Sequence, residues 1–112
     1  MDVVLYRTVE EPGPGRRRVS YVAVDVVPDP DDVLADLLAR VRGRGATPLL
    51  DRADPVGEFV VPASRAPGLL AELPHLAAAA RDAREADHVR HLARLARRCP
   101  SDSLMEIRFE GD

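Results

Sequence analysis

The apolar residues of this chain keep two different spacings and switch between them, and that alternation limits the folds open to it. In "PDPDDVLADLLARVRGRG" (28–45), Val33, Leu34, Leu37, Leu38 and Val41 recur at steps of three and four, which gathers them on one side of an α-helix. In "VSYVAVDVV" (19–27) the period is two: Val22, Val24 and Val26 share one face, and Tyr21, Ala23 and Asp25 the other. A chain that carries both patterns must bury helical stripes against a sheet.

Turn residues set the remaining boundaries. Asp2–Val9 reads as a first strand, and "EEPGPGRRR" interrupts it with two Pro–Gly pairs. The two strands are expected to pair as a hairpin whose long tip carries a solvated Arg16–Arg17–Arg18 triplet. For the first helix, Asp29 is a good N-cap, Pro30 suits the first helical position, and Asp31 and Asp32 suit the first turn, where the helix dipole favours acids. Gly43 or Gly45 ends it. Two short strands are expected near Pro48–Asp51 and Glu58–Val61, joined through the "DPVG" turn, with Pro62 marking an edge or an exit. Ser64 caps a helix over Arg65–Leu73, and Pro74 predicts a kink or a fresh start. A last helix runs from about His75 to Arg98 and stops before Pro100. The closing strand, "LMEIRFEGD", turns Met105, Ile107 and Phe109 inward and Glu106, Arg108 and Glu110 outward. The order is ββαββααβ, an α+β fold with helices packed on one face of a largely antiparallel sheet, in one domain over residues 1–112.

Composition narrows the chemistry. Hydrophobic residues are 46 % at a net charge of −3, which suits a packed domain rather than a disordered chain. All 16 basic residues are arginine, so there is no lysine for a Schiff base or a phosphate-binding P-loop. Asn and Gln are absent, which removes the usual bidentate readers of adenine. One cysteine forms no intrachain disulfide. The stretch "MDVVLYRTVEE" lacks the features of a signal peptide, and no run approaches the ~20 apolar residues of a membrane span, so a soluble, cytoplasmic protein is expected.

"READHVRHLARLARRC" (84–99) holds two of the three histidines and the cysteine. On a helix, Val89, Leu92, Ala96 and Cys99 form a stripe bordered by Leu95. Arg90, Arg94, Arg97 and Arg98 lie opposite, His88 at the stripe's edge and His91 further round. His88 and His91 are close enough to share an ion, but Cys99 lies about 16 Å along the axis, out of reach of a zinc that needs ligands at about 2.3 Å. A thiol at a helix C-terminus also faces the negative end of the dipole. The stretch therefore reads as an ordinary amphipathic helix with an inert cysteine and surface or boundary histidines. No cofactor or metal is expected. Nor is there a G-x-S-x-G, H-E-x-x-H, G-x-G-x-x-G or C-x-x-C motif, so the reading leans away from an enzyme.

Two charge features remain. Asp25, Asp29, Asp31, Asp32 and Asp36 fall within twelve residues that contain no arginine. They read chiefly as capping acids on a solvated face, and otherwise as a docking patch for a cationic partner. Arg81 and Glu85 continue the last helix's stripe at ion-pair spacing, where an apolar core wants neither. Either that end overhangs the core or it faces a partner protein. The arginine clusters give some support to nucleic-acid binding, but the acidic balance and the lack of interleaved aromatics weigh against it.

From "ADPVGEFVVPA" through "LLAELPHLAAAARDAREADHVRHLARLARRC" to "LMEIRFEGD", about half of the chain resembles small actinobacterial proteins of unassigned function. It is also similar in style to cytoplasmic immunity proteins encoded beside polymorphic toxins. The motifs that carry this are a strand–proline–helix step and a final hydrophobic strand ending in Gly–Asp. The resemblance implies a protein that binds and blocks a partner toxin, and it brings no catalytic residues. The leading expectation is thus a protein-binding module of the immunity type, with a cationic toxin domain as partner and homo-oligomerisation left open. The expected contacts are Asp25, Asp29, Asp31, Asp32, Asp36, Arg81, Glu85, Arg90 and Arg94. The alternatives are a small-molecule-binding protein or small enzyme, and third a nucleic-acid-associated protein.

Overall fold

The computed structural model describes residues 1–15 and 18–111. Seven main elements follow one another: β1 (Asp2–Glu11), β2 (Arg18–Val27), α1 (Val33–Val41), β3 (Glu58–Pro62), α2 (Ala66–Ala78), α3 (Ala83–Arg98) and β4 (Met105–Glu110). The strands form one antiparallel sheet in the order β2-β1-β4-β3. The fold is α+β, with Val3, Leu5, Val61, Ile107 and Phe109 of the sheet meeting the apolar stripes of the helices in one core. Arg16 and Arg17 of the expected solvated triplet lie outside the described residues, and Arg18 is exposed.

One of the five expected strands is a turn. Residues Leu50–Arg52 form a short 3₁₀ helix in place of a strand near Pro48–Asp51. Its later backbone donors, Asp51 N–H and Arg52 N–H, reach the Thr47 and Leu49 carbonyls of the turn itself, and the first ones are met by a side chain rather than by a neighbouring strand. The buried Glu72 carboxylate of α2 accepts Leu49 N–H and Leu50 N–H, both at 2.9 Å. The Thr47 hydroxyl donates to Asp51 at 3.0 Å. An apolar pair as short as Leu49–Leu50 carries no period of its own, so the long-range carboxylate decides.

Strand β2 contains a bulge. Leu5 pairs with Asp25 but Tyr6 pairs with Ala23, leaving Val24 as the extra residue. Opposed residues share a face, so the single alternation expected for β2 shifts at Val24. Tyr21 and Ala23 lie with Val26 on the face away from the helices, while Val22, Asp25 and Val27 lie on the helix side. Strand β4 covers β1 only as far as Arg7, whereas β1 and β2 pair on to Glu11 and Arg18. The end of the hairpin is a two-stranded ribbon that overhangs the sheet. The radius of gyration is accordingly 14.7 Å, against about 13 Å for a compact chain of this length.

The helices begin and end differently from expectation. Asp29 does cap α1, but from outside it: its carboxylate accepts Val33 N–H at 2.8 Å and Leu34 N–H at 3.0 Å. The chain reaches Val33 through Asp32 in a left-handed conformation (φ 54°), so Pro30, Asp31 and Asp32 precede the helix. Pro74 breaks nothing. Helix α2 runs through it, and the break falls between Ala78 and Ala83. Asp82 caps α3 by accepting Glu85 N–H at 2.8 Å, while Glu85 reaches back to accept Arg81 N–H at 2.7 Å. "DARE" is thus a reciprocal capping motif, stronger as a start signal than a solvent-facing proline is as a stop. At the far end, Gly111 lies so close beneath the 55–57 turn that a Cβ there would collide with the Pro55 and Gly57 carbonyls.

Candidate functional site

Helix α3 buries Val89, Leu92, Leu95 and Ala96, and Cys99 follows them into the core. Burial, with help from nearby Glu106, pushes the Cys99 thiol up to about 11. A thiol held so far above neutrality supplies almost no thiolate for nucleophilic or redox chemistry. His91 is exposed, and its Nδ1 lies 2.8 Å from Arg94 Nη1, an arrangement that makes this nitrogen the acceptor. His88 is buried, and its Nε2 has no hydrogen-bond partner. Burial holds its pKa below the usual histidine value. Among the described residues, no three His, Cys, Asp or Glu side chains are grouped to hold a metal ion. His75 borders a hollow with Arg40 and Ala79, His88 borders another with Pro28 and Arg94, and Cys99 lies in the core. The three do not converge.

The carboxylates and arginines singled out in the sequence largely answer one another. Asp25 of β2 accepts two hydrogen bonds from the Arg94 guanidinium, at 2.9 and 3.1 Å, and this pairing lowers its pKa. Asp29 is buried at the start of α1, and Asp32 accepts a hydrogen bond from the amino group of Met1 at 2.9 Å. Asp31 faces Arg84 at 3.5 Å in a fully solvated pair. Such an exposed pair contributes little, at most about 1 kcal/mol. Asp36 stays exposed in the first turn of α1. Arg90 pairs with Asp87 of its own helix. The twelve-residue span with its five acids is therefore not an uninterrupted negative patch, because α3 lays Arg84 and Arg94 along it.

Arg81 and Glu85 do not form the helical ion pair their spacing implies, because Arg81 precedes α3 and only its backbone N–H reaches Glu85. The cation is Arg40 of α1, which meets both Glu85 oxygens at 2.7 and 2.9 Å and also donates to Ala79 O at 3.0 Å. The bidentate arginine and the Arg81 N–H together hold the Glu85 carboxyl at about 2. This pair ties α1 to the start of α3 and explains an acid on the apolar stripe. The sequence offered no sign of it, since the partners lie forty-five residues apart.

Two surfaces were not legible as sites. The first is a groove of about 410 Å³ between α2 and α3, lined by Leu70, Leu73, Pro74, Ala77, Ala86, Val89 and Ala93, with Arg90 and Arg97 among its lining. Arg97 is exposed and makes no ion pair among the described residues. The one signal available in advance was the row of small residues on facing helices, Ala77 with Ala86 and Ala93, which leaves space between them. The second surface is the open face of the sheet. There the Arg108 guanidinium lies 4.9 Å from the centre of the Tyr6 ring and 4.1 Å from that of Tyr21. Arg108 also donates to Glu106 at 2.8 Å, and the Tyr6 hydroxyl donates to Glu110 at 2.6 Å. Two aromatic faces that suit a cation are thus already occupied by the chain's own arginine.

No helix is long and apolar enough to cross a membrane among the described residues. Compared with protein-family models, with curated proteins and with solved structures, the chain matches none.

Proposed function

We propose that this chain is a cytoplasmic protein-binding module of the immunity type, which seats a segment of a partner toxin and blocks it. The observation that carries the reading is the α2–α3 groove: an open apolar trough with arginines in its lining. Its length runs along two helices, which suits an amphipathic helix laid into a groove. Arg90 and Arg97 favour a segment whose apolar face is flanked by acids. Asp36, exposed on another part of the surface, and Asp31, held only in an exposed pair with Arg84, are the carboxylates left to meet a cationic part of the same partner. Asp25, Asp29, Asp32 and Glu85 are engaged within the fold and serve its architecture.

A second reading, a small-molecule carrier, rests on the same groove, whose volume lies within the range of ligand pockets, about 300–1,000 Å³. A cell-protection assay tests the first reading. Products of adjacent genes are expressed alone and together with this protein. A product that arrests growth alone and is neutralised by this chain supports it. If no such product exists and an apolar acid raises the melting temperature of wild type but not of Ala77→Arg, the carrier reading replaces it.

A further inference from the structure

Strand β2 is an edge of the sheet, ten residues long, and among the described residues no other strand pairs with its outer side. Proteins ordinarily blunt such an edge with charge, proline or a cover, because it templates pairing with another chain. The run Val19–Val24 carries none of the charge or proline, and Val19, Tyr21 and Val22 are 51, 48 and 51 % exposed. The opposite edge is treated differently: β3 has five residues, starts with Glu58 and ends with Pro62. The bulge at Val24 turns one end of the β2 edge aside, but among the described residues the run Val19–Ala23 is left without charge or proline, and this contrast with β3 marks it as a surface that is covered in use.

We infer that β2 pairs antiparallel with β2 of a second copy of this chain, joining two four-stranded sheets into one of eight. The run is self-complementary in the way a two-fold interface requires. Residues opposed across an antiparallel pair share a face, so the axis must fall on a residue rather than between two. Centred on Tyr21, the pairing sets Val19 opposite Ala23 and Ser20 opposite Val22 of the other copy, with no like charges opposed. Arg18 and Asp25, which bracket the run, carry opposite signs. The antiparallel arrangement therefore brings Arg18 of each copy near Asp25 of the other, where Arg94 already holds both carboxylate oxygens, so the apolar matches set the register and the bracketing charges only discourage a shifted one. A foreign strand would find no charge in the run to select it. The two-fold also closes the assembly, because the short β3 edges at either end do not extend it. This inference does not depend on the toxin-binding reading, which uses α2 and α3.

Sedimentation equilibrium of the whole chain from about 1 to about 500 µM tests it, since dimer populations follow concentration. The expected wild-type result is a concentration-dependent mass rising to twice 12.2 kDa. Deuterium uptake at Val19–Val24 should slow over the same range. The double variant Val19→Lys/Val22→Lys, at exposed positions, should melt as wild type does yet show a dissociation constant raised by about tenfold or more. A wild type that stays monomeric throughout overturns the inference, as does a dimer that persists unchanged in the folded double variant. If the run gains protection only when a different protein is added, its occupant is a foreign strand and the second-copy proposal falls.

Discussion

Cys99 sits where α3 ends, shut inside the core, with its thiol pushed up to about 11. We expect a colorimetric disulfide reagent at pH 8 to leave it untouched in the folded protein and to modify it at once in denaturant. Fast native modification would contradict the burial. That inertness was legible from the stripe position, because the same helical face that buries Leu92 and Ala96 must bury a residue seven and three steps on. The state of His88 was not. Its boundary place followed from the helix, but the missing partner for Nε2 depends on what other elements bring near it. Burial depresses its pKa in the folded state, so the unfolded chain binds the proton more readily. Its contribution is therefore full above the ordinary histidine value of 6.5 and falls as pH drops through that value. His88→Leu should flatten this part of the stability–pH curve and, by removing an unsatisfied buried nitrogen, add about 1 kcal/mol near neutrality. Urea titrations of both proteins across the range measure it; an unchanged slope would show that His88 is not the group responsible.

At the scale of elements, capping decided more than proline did. The helical stripe Val33–Val41 was plain in the sequence, and its period alone placed α1 correctly against the core. The start moved because Asp29 caps through two bonds from beyond the first turn, with Asp32 in a left-handed conformation between. Asp29→Ala leaves two backbone donors of a buried helix end without partners, and should cost about 2 kcal/mol by chemical denaturation. A change under a few tenths would mean that water replaces the carboxylate freely. The division of α2 from α3 was readable in "DARE", where a capping acid precedes a glutamate by three, and Pro74 drew attention to the wrong place. The Glu72 carboxylate that makes a turn of Leu50–Arg52 was not readable, because it acts from twenty-two residues away. Arg40 and Glu85 belong to the same class of long-range pair. With the Glu85 carboxyl lowered from 4.5 to about 2, the folded state holds its proton less tightly than the unfolded chain. The stabilisation is complete above about 4.5 and is lost as pH falls toward 2. Glu85→Gln should lower the melting temperature at pH 7 far more than Arg84→Ala, which removes only a solvated pair. It should also shrink the acid-induced drop in stability. Equal effects of the two substitutions would refute the structural role assigned to Arg40–Glu85.

For the whole molecule, the sheet and its helical cover followed from periodicity, while the surface did not. Charges that look like a patch in the sequence meet opposite charges across elements, as Asp25 does with Arg94, so linear clustering overstates the field that a partner meets. What the fold leaves open instead is an apolar groove beside Arg97 and beside Arg90, which is paired only with the exposed Asp87 of its own helix, and it is formed by two helices whose packing no single-helix pattern reveals. The measurement that bears most directly on the account is parallel affinity purification of tagged wild type and Arg90→Glu/Arg97→Glu from cells expressing the adjacent genes. The account predicts one stoichiometric protein with the wild type, lost or weakened by about tenfold or more with the variant, since reversed charges repel the acids that the groove is read to receive. The same partner recovered equally by both, or none recovered by the wild type, would contradict it.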